Sequence, residues 1–228
     1  MRASNELLPD TLPAEPMSTV VAWLAEAAAR RFQPNPNAML LATTTRDGRP
    51  AARVVLCKDI APEPGYIVFY TNYQSRKGRE LAENPRAAAV IHWDHLQRQI
   101  RIEGIVVPVP AEESDAYFAS RPWQSRIGAW ASAQSQPIVS REALLSAVAD
   151  TARRFGTPHP GDESANATSA TIPRPAHWGG YRLWADAVEL WVGSEARVHD
   201  RALWTRLLKD GGAGRFETGP WSATRLQP

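Results

Sequence analysis

Two apolar, β-branched runs on either side of an Asp-Gly pair constrain the fold of this chain more than any other feature. The runs cover residues 38–45 and 51–58, and Asp47-Gly48 lies between them. Asp-Gly favours the tight turn with positive φ that joins neighbouring antiparallel strands. The segment therefore predicts a β-hairpin.

Further segments have the composition of strands and helices. Aromatic and β-branched runs bounded by turn residues indicate strands, and apolar residues at helical spacing indicate helices. Strands are predicted over 66–71, 87–93, 99–109, 181–184, 187–191, 198–204 and near Thr224. Helices are predicted over 17–32, 112–119 and 140–155, and a short helix is predicted to begin at Ser75 and to end at Asn84-Pro85. The predicted fold class is mainly β with α, as a small antiparallel β-barrel with peripheral helices.

The domain organisation is predicted to be simple. Residues 1–16 carry three prolines and little periodicity, which predicts a flexible N-terminal arm before a single domain over 17–228. Residues 156–172 are rich in Pro, Gly, Ser, Thr and Ala, a composition typical of a mobile loop.

Charge and cysteine content narrow the function classes. A net charge of +2 gives no support for nucleic acid and favours a small anion as the ligand. The single cysteine, Cys57, excludes an internal disulfide, and the absence of a signal-peptide pattern predicts a cytoplasmic protein. No apolar run reaches the roughly 20 residues that span a membrane. His92 and His95 lack a carboxylate at matching spacing, so we expect no metal.

A first candidate anion site lies where the strand over 66–71 runs into the following helix. Helix N-termini present unpaired N–H groups and a positive dipole end, and Arg76 and Lys77 add full charges there. Cations in a first turn oppose the dipole unless an anion compensates, which favours a phosphate site over a solvated turn.

A second candidate site has Tyr117, Arg121 and Ser125 at a spacing of four. They would share one face if helical geometry continued, although Pro122 indicates a break. A phenol, a guanidinium and a hydroxyl that converge would form a second phosphate site. An exposed polar helix face is the alternative.

Two further groups of charges follow strands. On a strand, Arg197, His199 and Arg201 would share one face, which indicates an anionic ligand or, alternatively, a solvated edge strand. Arg53 and Lys58 lie at the ends of one apolar strand, where surface charges without a function are also common.

In their order along the chain and in their amino-acid sequences, these motifs resemble those of the pyridoxamine/pyridoxine 5′-phosphate oxidases, a family of FMN enzymes. The resemblance runs from about Pro16 to the C-terminus. It implies an FMN-binding split β-barrel and a homodimer with FMN sites between the subunits. The matching segments are RVVLCK, FYTNYQSRKG, QRQIRIEG, YFASRPWQSRIGAWASAQS, PRPAHWGGYR and RVHDR.

The resemblance also implies the residues of the site. The implied FMN contacts are Arg53, Val54, Val55, Leu56, Cys57, Lys58, Tyr70, Thr71, Arg76, Lys77, Gln99, Gln134, Ser135, Trp191 and Arg201. The implied ligands of the substrate phosphate are Lys58, Tyr117, Arg121 and Ser125. Arg197 and His199 would hold the pyridine ring and act as the catalytic residues.

The implied reaction is the oxidation of pyridoxamine or pyridoxine 5′-phosphate to pyridoxal 5′-phosphate. A hydride would pass from the C4′ carbon to flavin N5, and O2 would reoxidise the flavin and leave as H2O2. The protein would supply placement and electrostatics. Arg197 would orient the substrate and stabilise developing charge.

Departures from the family pattern keep the substrate open. Val192 stands where the family usually has Gln, Trp123 stands at a position that is often basic or small, and the loop over 156–172 is longer than usual. The segment from Leu12 to Met17 also resembles flavin oxidases of phenazine biosynthesis, which would act on dihydrophenazine precursors. A non-catalytic flavin or pyridoxal-phosphate binding protein on the same barrel is a further alternative.

Overall fold

The computed structural model describes residues 7–161 and 170–228. By internal contacts the chain divides into two compact units. The first extends to Phe69 and also includes Glu83–Val107 and Tyr181–Pro228, and the second comprises Tyr70–Ala82 and Pro108–Gly180. Residues 1–6 of the predicted arm and 162–169 of the predicted loop lie outside the described residues. A single domain over 17–228 stays a prediction.

Five α-helices and eleven strands are present in the described residues. The helices are α1 (Met17–Arg30), α2 (Arg76–Glu83), α3 (Ala111–Ser120), α4 (Trp123–Ala131) and α5 (Arg141–Phe155). The strands are β1 (Ala38–Thr44), β2 (Pro50–Leu56), β3 (Asp59–Ala61), β4 (Tyr66–Asn72), β5 (Arg86–Trp93), β6 (Arg98–Pro108), β7 (Trp178–Val192), β8 (Asp200–Thr205), β9 (Leu208–Asp210), β10 (Phe216–Thr218) and β11 (Ser222–Leu226).

A nine-stranded sheet forms the centre of the first unit. Its order is β11-β8-β7-β6-β5-β1-β2, and β4 joins β3 to β7. β1 and β2 pair in antiparallel register, with Ala42 opposite Ala52, which confirms the predicted hairpin. Side chains alternate between the two faces of each strand, so one face of β5 and β6 buries residues such as Trp93, Ile100 and Ile102.

Helices dominate the second unit. Phe118, Trp123, Ile127 and Trp178 belong to one buried cluster, on which residues of α5 also pack. The helix predicted over 140–155 is confirmed as α5, and the Ser140 hydroxyl caps it by accepting a hydrogen bond from the Ala143 N–H at 3.1 Å. No helix in the described part of the chain is long and apolar enough to cross a membrane.

Three predictions about the elements were wrong. The segments 181–184 and 187–191 are not separate strands but parts of the 15-residue β7. The reason is that Ala185 N–H donates to the Gly65 carbonyl, so the chain stays extended through the supposed turn. The strand predicted over 198–204 begins only at Asp200. The prediction also missed α4, β3 and the β9–β10 pair.

The contact between β6 and β7 leads to a stability prediction. A Cβ atom added at Gly104 would lie 1.8 Å from the Trp184 carbonyl oxygen, which belongs to the backbone and cannot rotate away. We expect Gly104→Ala to lower the free energy of unfolding by at least about 2 kcal/mol in urea titrations.

Gly128→Ala is the matched control, because nothing lies within 4 Å of a Cβ at this position of α4. Alanine is the better helix former, so this variant should be neutral or gain up to about 1 kcal/mol. Equal stability of the Gly104→Ala variant and the unmodified protein would contradict the contact.

Candidate functional site

A buried lysine is the centre of a polar cluster in the second unit. Lys77 is 8% exposed, and its Nζ lies 3.1 Å from both Thr71 Oγ1 and Gln134 Oε1 and 3.4 Å from Ser75 Oγ. The Thr71 hydroxyl also donates to Gln134 Oε1 at 3.2 Å. The structure therefore brings together Thr71, Lys77 and Gln134, which lie up to 63 positions apart in the sequence.

The corner between β4 and α2 holds Lys77 in this orientation. Ser75 Oγ accepts the Gly78 N–H at 3.3 Å and caps the helix, which confirms the predicted start. A Cβ at Gly78 would lie 2.0 Å from the Tyr73 carbonyl oxygen, so only glycine permits so tight a corner.

The neighbouring cation, Arg76, has a different environment. Its Nε donates to Glu80 Oε1 at 2.8 Å, and its side chain is 58% exposed. The two cations predicted at the helix start are therefore not equivalent, since Lys77 alone of the pair is buried.

Ser135, another residue that the sequence predicted for the site, adopts a positive φ of 69° in the exposed segment after α4.

An aromatic stack lies in the same unit. The rings of Tyr70 and Tyr117 are 3.8 Å apart at 14°, and Trp178 lies nearly parallel to both. The Arg121 guanidinium lies 4.6 Å above the Trp178 ring. Burial lowers the pKa of Arg121, Tyr117 opposes this shift, and the charge of Arg126 adds to it. Arg121 is therefore a partly desolvated cation that an anion would stabilise.

Tyr117, Arg121 and Ser125 do not share one continuous helix. α3 ends at Ser120, Arg121 is extended with ψ of 148°, and α4 begins after Pro122. The helix break that Pro122 indicated is therefore confirmed. Arg121 Nη1 and Arg126 Nε are buried nitrogens without a hydrogen-bond partner within the described chain, and the sequence analysis had not selected Arg126.

In the first unit, Arg53 lies within β2, and Cys57 and Lys58 directly follow that strand. Arg53 Nη1 donates to the Leu41 carbonyl oxygen at 3.3 Å and also contacts Thr43 Oγ1. Burial raises the pKa of the Cys57 thiol to about 12, so this group is not a thiolate nucleophile. Lys58 lines a mostly apolar cavity of about 430 Å³ beside α1.

The residues around β7 and β8 form a second group in this unit. Arg197, His199 and Arg201 do not share a strand face, because residues 195–197 form a 3₁₀ turn with φ of 62° at Arg197. The His199 ring lies 4.6 Å from the Trp191 ring, and its Nδ1 accepts a hydrogen bond from the Ser194 N–H at 3.2 Å.

Gln99, which the sequence also predicted for the site, lies on β6 opposite His92 of β5.

The family comparison agrees with these motifs. Residues 25–154 match the model described as pyridoxamine 5′-phosphate oxidase. Residues 178–228 match the pyridoxine 5′-phosphate oxidase C-terminal dimerisation region. The chain belongs to the pyridoxine/pyridoxamine 5′-phosphate oxidase family. The resemblance drawn from the sequence is therefore confirmed.

Curated oxidases of this family are similar over nearly the whole chain. The pyridoxine/pyridoxamine 5′-phosphate oxidase of Paraburkholderia phymatum is 48% identical over 206 residues, which are 90% of this chain and 85% of the relative. The oxidase of the same name from Chromobacterium violaceum is 44% identical over 226 residues, 99% of this chain and 94% of the relative.

Solved structures confirm the predicted split-barrel fold. PhzG from Burkholderia lata 383, in complex with tetrahydrophenazine-1-carboxylic acid, has a TM-score of 0.78 at 32% identity and covers 97% of this chain and 100% of its own. A pyridoxamine 5′-phosphate oxidase-related, FMN-binding protein from Nostoc punctiforme has a TM-score of 0.65 at 17% identity over 93% of this chain and 97% of its own, which supports the fold alone.

An acidic residue of this oxidase-family chain escaped the sequence analysis. Glu189 of β7 is 2% exposed and pairs with Arg201 of β8 and Arg101 of β6. The sequence feature that could have identified Glu189 is the alternation of side chains along β7. Residues two positions apart on a strand share a face, so Glu189 shares one with Trp191.

Proposed function

We propose that this chain is an FMN-dependent oxidase that converts pyridoxamine or pyridoxine 5′-phosphate to pyridoxal 5′-phosphate, with O2 as the electron acceptor and H2O2 as the product. The observation that carries the proposal is the 44–48% identity with oxidases of that name over 90% or more of the chain. We expect the protein to act in the cytoplasm, where a free thiol such as Cys57 stays reduced.

The residues present fit a phosphate-bearing cofactor. Lys77 offers a buried ammonium group, Thr71 offers a hydroxyl 3.1 Å from it, and the start of α2 offers backbone N–H groups. An anion there would compensate the cations that oppose the helix dipole. When bound, FMN supplies the two-electron redox chemistry of the reaction.

We assign the FMN contacts separately for each unit. In the second unit they are Tyr70, Thr71, Arg76, Lys77, Gln134 and Ser135. In the first unit they are Arg53, Val54, Val55, Leu56, Cys57, Lys58, Gln99, Trp191 and Arg201.

We assign substrate-phosphate contacts separately for each unit: Tyr117, Arg121 and Ser125 in the second unit, and Lys58 in the first. The unpartnered, buried Nη1 of Arg121 supports this assignment, since a phosphate oxygen would satisfy it. Arg121 also lies over the Trp178 ring, which restricts the orientations of its guanidinium.

Arg197 and His199 would hold the pyridine ring. Because His199 Nδ1 accepts the Ser194 N–H, the neutral imidazole carries its proton on Nε2 and can donate it to the substrate. Contact with Trp191 limits rotation of the His199 ring. Arg197 is exposed and would supply a cation that orients the substrate.

We propose a homodimer with the FMN sites at the subunit interface. An apolar face of β1 and β2 supports a second copy as the partner. Leu40 is 44% exposed and lies opposite Val54, which is 68% exposed and is also an assigned FMN contact. The same sheet includes β7 and β8 from the matched dimerisation region. Contiguous apolar surface of this kind is typical of an interface.

Leu40→Asp is expected to dissociate the dimer. An uncompensated carboxylate at the interface should weaken dimerisation by at least about a hundredfold. Sedimentation velocity at several concentrations measures the change. Val139→Asp is the matched control, because Val139 is 95% exposed outside the β1–β2 face. A Leu40→Asp variant that stays dimeric at low micromolar concentration would contradict the interface.

A flavin oxidase of phenazine biosynthesis is the second candidate. It is favoured by the likeness to PhzG, which is bound to tetrahydrophenazine-1-carboxylic acid in its structure. That identity is 32%, below the 44–48% shared with the vitamin B6 oxidases.

Aerobic turnover tests the proposed function. The FMN-loaded protein, supplied with pyridoxine 5′-phosphate, should form pyridoxal 5′-phosphate and H2O2 in equal amounts. Turnover of a dihydrophenazine carboxylic acid alone would support the second candidate. Bound flavin that neither substrate reduces would indicate a non-catalytic binding protein.

A further inference from the structure

Glu189 is a buried carboxylate between two guanidinium groups. It is 2% exposed, and its Oε1 accepts a hydrogen bond from Arg201 Nε at 2.9 Å and lies 2.8 Å from Arg201 Nη2 in an ion pair. Its Oε2 lies 2.9 Å from Arg101 Nη2 in an ion pair that lacks the angles of an aligned hydrogen bond. The contact with Arg201 is therefore the stronger one, because it includes an aligned hydrogen bond.

Burial of this carboxylate has no evident advantage for stability alone. Removing charges from water costs several kcal/mol per ion, and apolar side chains at such positions often stabilise a protein as well or better. Leu190 and Val188, the neighbours on β7, are fully buried apolar residues. A charged residue here is explained better by what it does to its partners.

The contacts of Arg201 show what Glu189 can do. A guanidinium has five N–H donors. Arg201 donates its Nε N–H to Glu189 and one Nη1 N–H to the Gln227 carbonyl oxygen at 2.9 Å, and its Nη2 lies in the ion pair with Glu189. The two hydrogen bonds and the ion pair together fix the plane of the group. N–H donors on Nη1 and Nη2 remain outside these two hydrogen bonds, and the direction in which they point follows from the plane.

We infer that Glu189 is a positioning residue that orients the Arg201 guanidinium toward the bound cofactor. The inference rests on the proposed function, which assigns Arg201 and Trp191 to FMN. These two residues are opposite each other in the β7–β8 register, and Glu189 shares the face of Trp191. Without Glu189, Arg201 would be free to adopt several rotamers, and its contact with FMN would weaken.

FMN affinity of the apoprotein tests this role independently of turnover. Titration with FMN, followed by the quenching of flavin fluorescence, should give a dissociation constant raised about tenfold or more in Glu189→Gln. Glu103→Gln is the matched control. Glu103 also pairs with Arg101, at 2.9 Å, but its side chain is 43% exposed. Its variant should stay within about twofold of the unmodified protein.

A double variant separates positioning from a general structural effect. If Glu189 acts through Arg201, then Arg201→Gln combined with Glu189→Gln should bind FMN no more than about twofold more weakly than Arg201→Gln alone. Losses that multiply would overturn the inference. Glu189→Asp covers the case in which Glu189→Gln does not fold, because it keeps the charge but retracts it from Arg201. It should weaken binding about threefold or more, and an unchanged affinity would overturn the inference.

The outcomes distinguish this inference from the proposed function. If Arg201→Gln loses affinity while both Glu189 variants keep it, only the positioning role is wrong. If Arg201→Gln binds FMN like the unmodified protein, the assigned Arg201 contact is wrong and the positioning role with it. If the unmodified protein binds no FMN, the proposed function itself is wrong and the inference is overturned.

Discussion

Lys77→Met is expected to weaken FMN binding by about ten- to a hundredfold, which corresponds to the roughly 1.5–3 kcal/mol of a charge-assisted hydrogen bond. Methionine fills the same space without the ammonium group, so the cluster with Thr71 and Gln134 keeps its shape but loses its cation. Because a buried cation is costly to desolvate, the apoprotein should be as stable as before or more stable. Fluorescence titration and thermal unfolding of the apoprotein measure the two effects.

Lys209→Met controls for this experiment. It makes the same substitution at a side chain that is 80% exposed and pairs with Glu217 on the β9–β10 hairpin. Its FMN affinity should not change. An unchanged affinity in Lys77→Met would show that the buried ammonium does not bind the cofactor phosphate.

Arg197→Ala is expected to lower kcat by about a hundredfold, because a substrate that the guanidinium no longer orients reaches the reactive geometry less often. FMN retention should stay the same, since Arg197 is assigned to the substrate and not to the cofactor. Arg197 is exposed, so its removal creates no cavity and leaves no buried partner without a bond. Steady-state kinetics and flavin content of the purified variant measure the two effects.

Arg46→Ala is the matched control for Arg197→Ala. Arg46 is exposed in the turn between β1 and β2, and its loss should leave kcat unchanged. A loss of FMN from Arg197→Ala that equals the loss of turnover would contradict the substrate role of Arg197.

Local signals in the sequence were enough for much of the fold. The Asp47-Gly48 turn predicted the β1–β2 hairpin, and Ser75 and Ser140 predicted two helix starts. Each of these features is decided by bonds between residues close in sequence, so its pattern is visible without tertiary structure.

Long-range contacts explain what the sequence could not predict. β7 continues past Ala185 because it bonds to Gly65, which lies 120 positions earlier in the chain. The positive φ values at Ala196 and Arg197 remove Arg197 and His199 from the strand on which alternation had placed them. Neither feature leaves a local pattern.

The candidate site was predictable only in part for the same reason. The resemblance supplied Lys77, Thr71 and Gln134, and the structure brought them together. Glu189 was not selected, because an acid within an apolar strand gives no sign of its partners. Those partners, Arg101 and Arg201, come from two different strands.

The central claim is that this chain oxidises a phosphorylated form of vitamin B6, and an anaerobic half-reaction tests it most directly. The FMN-loaded protein is mixed with pyridoxine 5′-phosphate without O2, which isolates hydride transfer from the reoxidation of the flavin. We expect rapid bleaching of the flavin absorbance and one pyridoxal 5′-phosphate formed per flavin. Flavin that stays yellow with pyridoxine 5′-phosphate and with pyridoxamine 5′-phosphate would contradict the account.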